Sequence, residues 1–335
     1  MQVMDSPPQG DMRGDAVETV TPGAVLQPAP PIRRIEIIAN EHSGSVGPGA
    51  AVAAEAIARE LGFEAKARAV APHDLRAQLT VAVAANPDLL VVIAGDGTAN
   101  MAATLCGPDG PLLACLPGGT MNMLPRALYG DRDWRSALRA VLSDGAVMPV
   151  AAGQVNGAPF HVAAILGNPA LWAPAREAIR QGRFHEAWKR AVYAWRRAFR
   201  SKIHYALDGG LHGRAEGLGL LCPLVSRAIG ADPSTLEAAA VNPPGMFAVL
   251  RLGLDALVLP LLSPLLAGDW RANPFVKTGR CREGHASGRK RIHAILDGEL
   301  IRLPKYVTIR FVPVSFRALV VAADQGRPHG GGASL

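Results

Sequence analysis

Apolar positions along this chain follow two rhythms, and the change falls near residue 147. Before it, short continuous apolar runs alternate with longer stretches whose apolar residues recur at helical spacing. The clearest run is Leu89-Leu90-Val91-Val92-Ile93. It is too short for a helix, rich in Val and Ile, and apolar on both faces, as a strand inside a parallel sheet must be. The same reading predicts strands over 32–39, 63–70, 88–93 and 111–116, and helices over 50–61, 74–85, 98–105, 121–128 and 134–142. Gly62 stands where a helix C-cap is expected. Strand and helix alternating in this order specify a three-layer α/β unit with a parallel sheet over 32–146.

Beyond residue 147 the apolar runs are short and separated by turn dipeptides. Runs over 147–155 and 159–166 flank Asn156-Gly157, a two-residue hairpin signature. Further strands are predicted over 201–207, 214–222, 235–241, 290–296, 300–303 and 306–311, with Asp208-Gly209-Gly210 and Asp297-Gly298 as turns. The expectation for 147–323 is an antiparallel β-sandwich with helical insertions, the last run (316–322) being able to pair with either unit. Residues 1–31, rich in Pro, Gly, Asp and Gln, and residues 324–335 are expected to be disordered tails.

Composition narrows the function. With 335 residues, 49% hydrophobic and 19% charged, the chain has room for two cores. Its net charge of +7 favours an anionic partner. An aromatic content of 5% argues against stacking on single-stranded nucleic acid, and no nucleic-acid partner is expected. Cys106, Cys115, Cys222 and Cys281 have neither zinc nor redox spacing and read as buried free thiols in a reducing cytosol. Residues 1–9 lack the basic start and apolar stretch of a signal peptide. No uncharged apolar run approaches the ~20 residues of a membrane-spanning helix. The expected location is cytoplasmic.

Candidate chemistry lies where strands meet glycines. Ala94-Gly95-Asp96-Gly97 follows the central run and opens a helix. Glycines let backbone N–H groups approach a ligand, and a helix start supplies unsatisfied N–H donors with partial positive charge, a combination suited to phosphate. The plainer alternative is an ordinary turn with Thr98 as N-cap. A second glycine turn, Pro117-Gly118-Gly119-Thr120-Met121-Asn122, and the polar loop from Asn40 to Gly44 also follow strands. Ligands of open parallel sheets bind beyond the strands' carboxyl ends, so three such loops on one edge point to a nucleotide.

Four motifs in order resemble one family. Ala39-Asn40-Glu41-His42-Ser43-Gly44 is similar to its NPxSG loop and Ala94-Gly95-Asp96-Gly97-Thr98-Ala99-Asn100 to its GGDGTxN turn. Leu116-Pro117-Gly118-Gly119-Thr120-Met121-Asn122 is similar to PxGTxN, and Asp297-Gly298-Glu299 to a late DGE turn. Together they resemble the diacylglycerol kinase catalytic family, which includes bacterial diacylglycerol and YegS-type lipid kinases, sphingosine kinases and ceramide kinases. The resemblance implies ATP on the amino-terminal unit, lined by Asn40, Ser43, Gly44, Gly95, Asp96, Gly97, Thr98, Asn100, Gly119, Thr120 and Asn122. It implies a neutral lipid in the cleft toward the sandwich, with Asp297 and Glu299 acting on its hydroxyl. Mg²⁺ would be held by Asp96 and Asp297, and proton acceptance would fall to Asp96, Asp297 or Glu299.

Departures from the family pattern are Ala94 for the first glycine, Met101 after Asn100, Met123 after Asn122, and Ala69 ahead of His73-Asp74 where the family has a Thr before Gly-Asp. The largest is Ala151, which stands where the DxGxxN segment carries its acid. These leave diacylglycerol and ceramide or sphingoid lipids both open. They also leave open a soluble phosphotransferase of the NAD-kinase kind and a nucleotide- or lipid-binding regulator without catalysis.

Contact with a membrane has its own signals. Phe184, Trp188, Val192, Trp195 and Phe199 share one helical face, with Lys189, Arg190, Arg196, Arg197, Arg200 and Lys202 around it. That pattern suits a helix lying on an anionic lipid surface, or a helix packed on the sandwich with a solvated basic face. The apolar stretch 246–267, interrupted by Pro260 and Pro264, suits an acyl-chain pocket or a core connector. The basic, glycine-rich segment 277–291 reads as a mobile loop, and Asp232 as a turn residue ahead of Pro233. Peripheral association with the membrane is the expectation; the oligomeric state is not specified.

Overall fold

The computed structural model describes residues 26–167, 202–226, 233–242, 271 and 275–322. The basic aromatic stretch up to Arg200, the apolar stretch 246–267, Asp232 and both chain ends lie outside the described residues.

The first half contains β1 (Gln27–Pro28), β2 (Arg34–Ala39), α1 (Ala50–Glu60), β3 (Glu64–Ala69), α2 (Leu75–Ala84), β4 (Leu89–Ala94), α3 (Asp96–Cys106), β5 (Leu112–Pro117), α4 (Met123–Tyr129) and α5 (Trp134–Ser143). β2, β3, β4 and β5 form a parallel sheet in the order β3-β2-β4-β5. Every residue of β4 and β5 is buried, which explains their unbroken apolar sequence. β2 passes to β3 on one side and the chain then returns to β4 on the other, so right-handed crossovers send α1 and α2 to opposite faces. Accordingly α1 packs with α5, and α2 with α3. Registers Ala39↔Ile93 and Ala94↔Pro117 bring the ends of β2, β4 and β5 to one rim.

The second half contains β6 (Gly145–Val155), β7 (Ala158–Phe160), β8 (Ala163–Gly167), β9 (Ile203–Leu207), β10 (His212–Ala215), β11 (Gly217–Leu221), β12 (Leu236–Val241), β13 (Val276–Cys281), β14 (Glu283–Gly288), β15 (Ile292–Leu296), β16 (Glu299–Leu303) and β17 (Tyr306–Val321). One antiparallel sheet runs β13-β12-β11-β8-β15-β16. The other strands do not form a separate sheet. They extend the parallel one, in the order β10-β9-β14-β17-β5, with β6 on β17. A sandwich core lies between the sheets, with Phe160, Tyr205, Val307 and Phe311 facing Leu166, Leu218, Leu236 and Leu296.

β17 is the spine of the molecule. It pairs in parallel with β5 through Ala318↔Leu113 and antiparallel with β6 from Val321↔Gly145 to Ile309↔Val155. Between Val312 and Phe316 its register against β6 slips in a bulge, where the strand passes from the sandwich core to the α/β core.

Several sequence expectations are corrected. The two runs 306–311 and 316–322 are one strand, carried through Pro313 because the bulge frees that position from the ladder. The run 214–222 is two strands in different sheets, separated at Glu216. Segment 277–291 is no loop: β13 and β14 take up most of it, one in each sheet. Its Lys and Arg residues concealed the strand pattern, and β13 is an edge strand, where such charges discourage unwanted pairing. Residues 26–31 are not loose: Gln27 and Pro28 pair with Val147 and Ala146, while Leu26 and Ala29 pack on the core.

Candidate active site

Three loops leave the common rim and interlock. The backbone N–H of Asn40 donates to Ile93 (2.9 Å), and the Asn40 side chain, itself buried, accepts from the His42 N–H (3.2 Å) in a local turn. Ser45 donates its N–H to Gly118 and its hydroxyl to Gly119 (3.1 and 3.2 Å). Here glycine is required by space. A Cβ on Gly119 would stand 2.6 Å from Gly95 Cα, and one on Gly118 would stand 2.8 Å from the Ala94 nitrogen. The Gly95 and Gly44 positions border Ser43 Oγ and Thr120 Oγ1, at 3.4 and 3.3 Å from the corresponding Cβ positions. Asn40, Ser43, Gly44, Gly95, Gly119 and Thr120 therefore lie together at the rim.

Asn122 acts within its own loop. At φ 50° it turns its Oδ1 back to accept the Gly118 and Gly119 N–H groups (3.2 and 2.6 Å), while its Nδ2 donates to the Gly119 carbonyl (2.9 Å). Those two N–H groups were natural candidates for phosphate. Their use by Asn122 makes this residue a brace of the turn, so a phosphate on this rim would turn to other N–H donors, among them those at the start of α3. That helix begins at Asp96, with Gly95 in the N-cap position, rather than at Thr98. The N–H of Thr98 bonds the Gly95 carbonyl (3.1 Å), so the orphan donors of the helix start belong to Asp96 and Gly97.

The Asp96 carboxylate reaches across to α4, where its Oδ1 accepts from the Leu124 N–H (3.2 Å). Burial pushes its pKa above the usual carboxylate range, and the nearby Asp297 charge pushes the same way, against the pull of backbone N–H groups at the start of α4. The folded protein thus holds this proton more tightly than the unfolded chain does. Stability contributed here falls as pH rises from the ordinary carboxylate range through the raised folded value. Asp96→Asn keeps the acceptor for Leu124 and removes the buried charge. It is expected to raise Tm by about 1–2 °C at pH 7 while impairing use of MgATP, and to flatten the pH dependence of Tm on the acid side, all measurable by thermal melts and initial rates.

The acid turn from the sandwich comes to this rim. Asp297 (φ 45°) and Gly298 (φ 90°) form the two-residue turn between β15 and β16, the geometry that favours Asp-Gly. Gly298 lies against Met123 Sδ, and the carboxylate of Glu299 lies against Gly97, where a Cβ would collide with its Oε1. Asp96, Gly97, Asp297 and Glu299 therefore share one corner.

The acids differ within it. Asp297 is 2% exposed, and its carboxylate accepts the backbone N–H groups of His161 (2.7 Å), Val162 (2.9 Å) and Ala163 (2.9 Å). Those residues are the crossover by which the chain leaves β7 in one sheet and enters β8 in the other. Asp297 is thus committed to holding the crossover, while Glu299 is the exposed acid of the turn. Ala151, in place of the family's acid, lies on β6.

Sequence reading missed His161. It is fully buried, with Nδ1 2.9 Å from Asn100 Oδ1 and Nε2 3.0 Å from Ser315 Oγ, and its ring meets Phe316 edge-on at 5.3 Å. Its one sequence signal was a polar residue inside the apolar run Phe160-His161-Val162.

Among the described residues no group of three or more His, Cys, Asp or Glu side chains is gathered to hold a metal ion. The corner therefore offers no cage of the kind zinc takes. Mg²⁺, which needs only one or two carboxylates beside phosphates and water, would find them in Asp96 and Asp297, whose charges repel each other. Among the described residues no helix is long and apolar enough to cross a membrane.

Residues 34–155 match the family model described as the diacylglycerol kinase catalytic domain. The fold is similar to a crystal structure of a diacylglycerol kinase from Bacillus anthracis str. Sterne, with TM-score 0.61 and 16% identity, covering 88% of this chain and 99% of that one. A second crystal structure from that organism gives a TM-score of 0.65 at the same identity and coverage. No curated protein matches the chain. The family match covers the amino-terminal part of the chain, and the likeness to the solved structures, at 16% identity, is one of fold.

Proposed function

We propose that this protein, whose residues 34–155 carry the diacylglycerol kinase catalytic pattern, is an ATP- and Mg²⁺-dependent lipid kinase. It transfers the γ-phosphate to a hydroxyl of a neutral membrane lipid of the diacylglycerol or ceramide and sphingoid type. The observation that carries this reading is the meeting of Glu299 with Gly97, at the helix start where phosphate donors remain. N–H donors for a phosphate and an acceptor for the alcohol's proton are thereby brought to one corner from the two halves of the chain.

Phosphoryl transfer asks mainly for positioning and charge neutralisation. The loops of Ser43, Gly44, Gly95 and Thr120 shape the phosphate surface, and Asn122 fixes that surface from within. Asp96 would hold Mg²⁺, with the charge of the buried Asp297 beside it, and the ion would neutralise phosphate oxygens. Glu299 takes the proton of the lipid alcohol, because it alone among the three acids is neither buried nor committed to backbone N–H groups. A net charge of +7 supports a working position on an anionic cytoplasmic membrane surface.

The test is ATP labelled in its γ-phosphate, offered with diacylglycerol, ceramide, sphingosine and monoacylglycerol in anionic vesicles, and separately with NAD. Label in one lipid class is the expected result. Label in NAD alone identifies a soluble acceptor, and bound ATP with no labelled product identifies a regulator; either outcome removes the proposal.

A further inference from the structure

We infer that His161 is a positioning residue, which turns the side-chain amide of Asn100 so that its NH₂ group faces the acid corner. The inference rests on the kinase reading above. Asn100 lies one turn below Asp96 and Gly97 on α3, on the same face of the helix. Its Oδ1 meets His161 Nδ1 at 2.9 Å, so Nδ2 is the end of the amide left for a ligand.

Which amide end meets the imidazole depends on which ring nitrogen carries the proton. Two neighbours decide it. Asp297 Oδ2 stands 3.9 Å from Nδ1 and favours an N–H there. Ser315 Oγ stands 3.0 Å from Nε2 and can donate its hydroxyl proton to an unprotonated nitrogen. The Asp297 carboxylate already accepts three backbone N–H groups, and Ser315 can satisfy Nε2 with its own proton, so a single ring N–H placed on Nδ1 meets every contact of the imidazole. With that N–H on Nδ1, an oxygen of Asn100 must receive it, and the NH₂ is turned outward as a donor to a transferring phosphoryl oxygen.

The parts come from three places. Asn100 is on α3, Ser315 is in the bulge of β17, and His161 is in the crossover gripped by Asp297. His161 thereby ties a donor at the nucleotide rim to the point where the spine strand passes between the two cores.

The test uses the full chain. In protein carrying ¹⁵N-labelled histidine, His161 is expected to show the Nδ1–H neutral tautomer; the Nε2–H tautomer overturns the inference whatever the enzyme does. In kinetics, Asn100→Asp keeps the acceptor for His161 but replaces the outward NH₂, and His161→Phe keeps the ring shape but removes both bonds. Each is expected to lower kcat at least ~10-fold with the KM for ATP within about threefold. His161→Asn retains an N–H near the Nδ1 position and is expected to recover most of the loss. Wild-type kcat in Asn100→Asp, or His161→Asn as impaired as His161→Phe, overturns the inference. If wild-type protein phosphorylates no lipid, the kinase reading fails instead. The tautomer, and a shift of the Asn100 side-chain NH₂ resonance on adding MgATP that His161→Phe abolishes, then still decide this one. No such shift in wild type overturns it.

Discussion

Glu299→Gln is expected to reduce turnover at least ~100-fold while leaving Tm and ATP binding close to wild type. General-base catalysis is worth about 10²–10⁴-fold, and Gln keeps the size of Glu while losing its ability to take a proton. The side chain is exposed and, among the described residues, has no backbone bond to lose, so a change in stability is not expected. Its position is set by Gly97, whose missing Cβ makes room for the carboxylate. Initial rates with the preferred lipid, together with equilibrium dialysis of ATP, separate a loss of proton transfer from a loss of binding. Equal turnover in Glu299→Gln and wild type would remove Glu299 from the chemistry.

Asp297→Ala is expected to act first on the fold. Three N–H groups at the β7–β8 crossover lose a buried acceptor. Each such orphan costs about 1–3 kcal/mol, so a total on the order of 3–5 kcal/mol and a fall in Tm of roughly 10 °C are expected. Alanine is also disfavoured at φ 45°, a strain that Asp and Asn tolerate better. Denaturant melts of the variant check the figure. A variant that loses activity at wild-type stability would mean that Asp297 serves the chemistry and not the crossover.

The contrast between these neighbours shows where sequence is informative. Asp297-Gly298-Glu299 was readable as a turn because Asp-Gly needs little else to close a hairpin. What its acids do depended on strands far away in sequence: the N–H groups that Asp297 accepts lie 134–136 positions earlier. The central strands were legible because β4 and β5 are buried on both faces and have no polar alternation to obscure them. β13 and β14 were not, because residues such as Lys277, Arg280 and Glu283 on exposed positions erase the apolar signal. The glycines of the rim loops were legible as close approaches, and the structure supplies the distances. Asn122 was legible as part of a motif, but not as the acceptor that closes its own loop. His161 was hidden because a single histidine in an apolar run has no partner visible nearby; Asn100 and Ser315 are 61 and 154 positions away.

The path of β17 sets a condition on how this chain is made. Its residues 316–321 complete the core that β4 and β5 begin, and the Tyr129 hydroxyl donates to the Leu319 carbonyl across 190 positions (2.9 Å). Excised on its own, the stretch 34–155 would leave β5 and β6 without the strand that lies between them, and would bare a row of unpaired backbone groups. The amino-terminal half is therefore not autonomous. During synthesis it must wait, with that gap unfilled, until Val321 has left the ribosome.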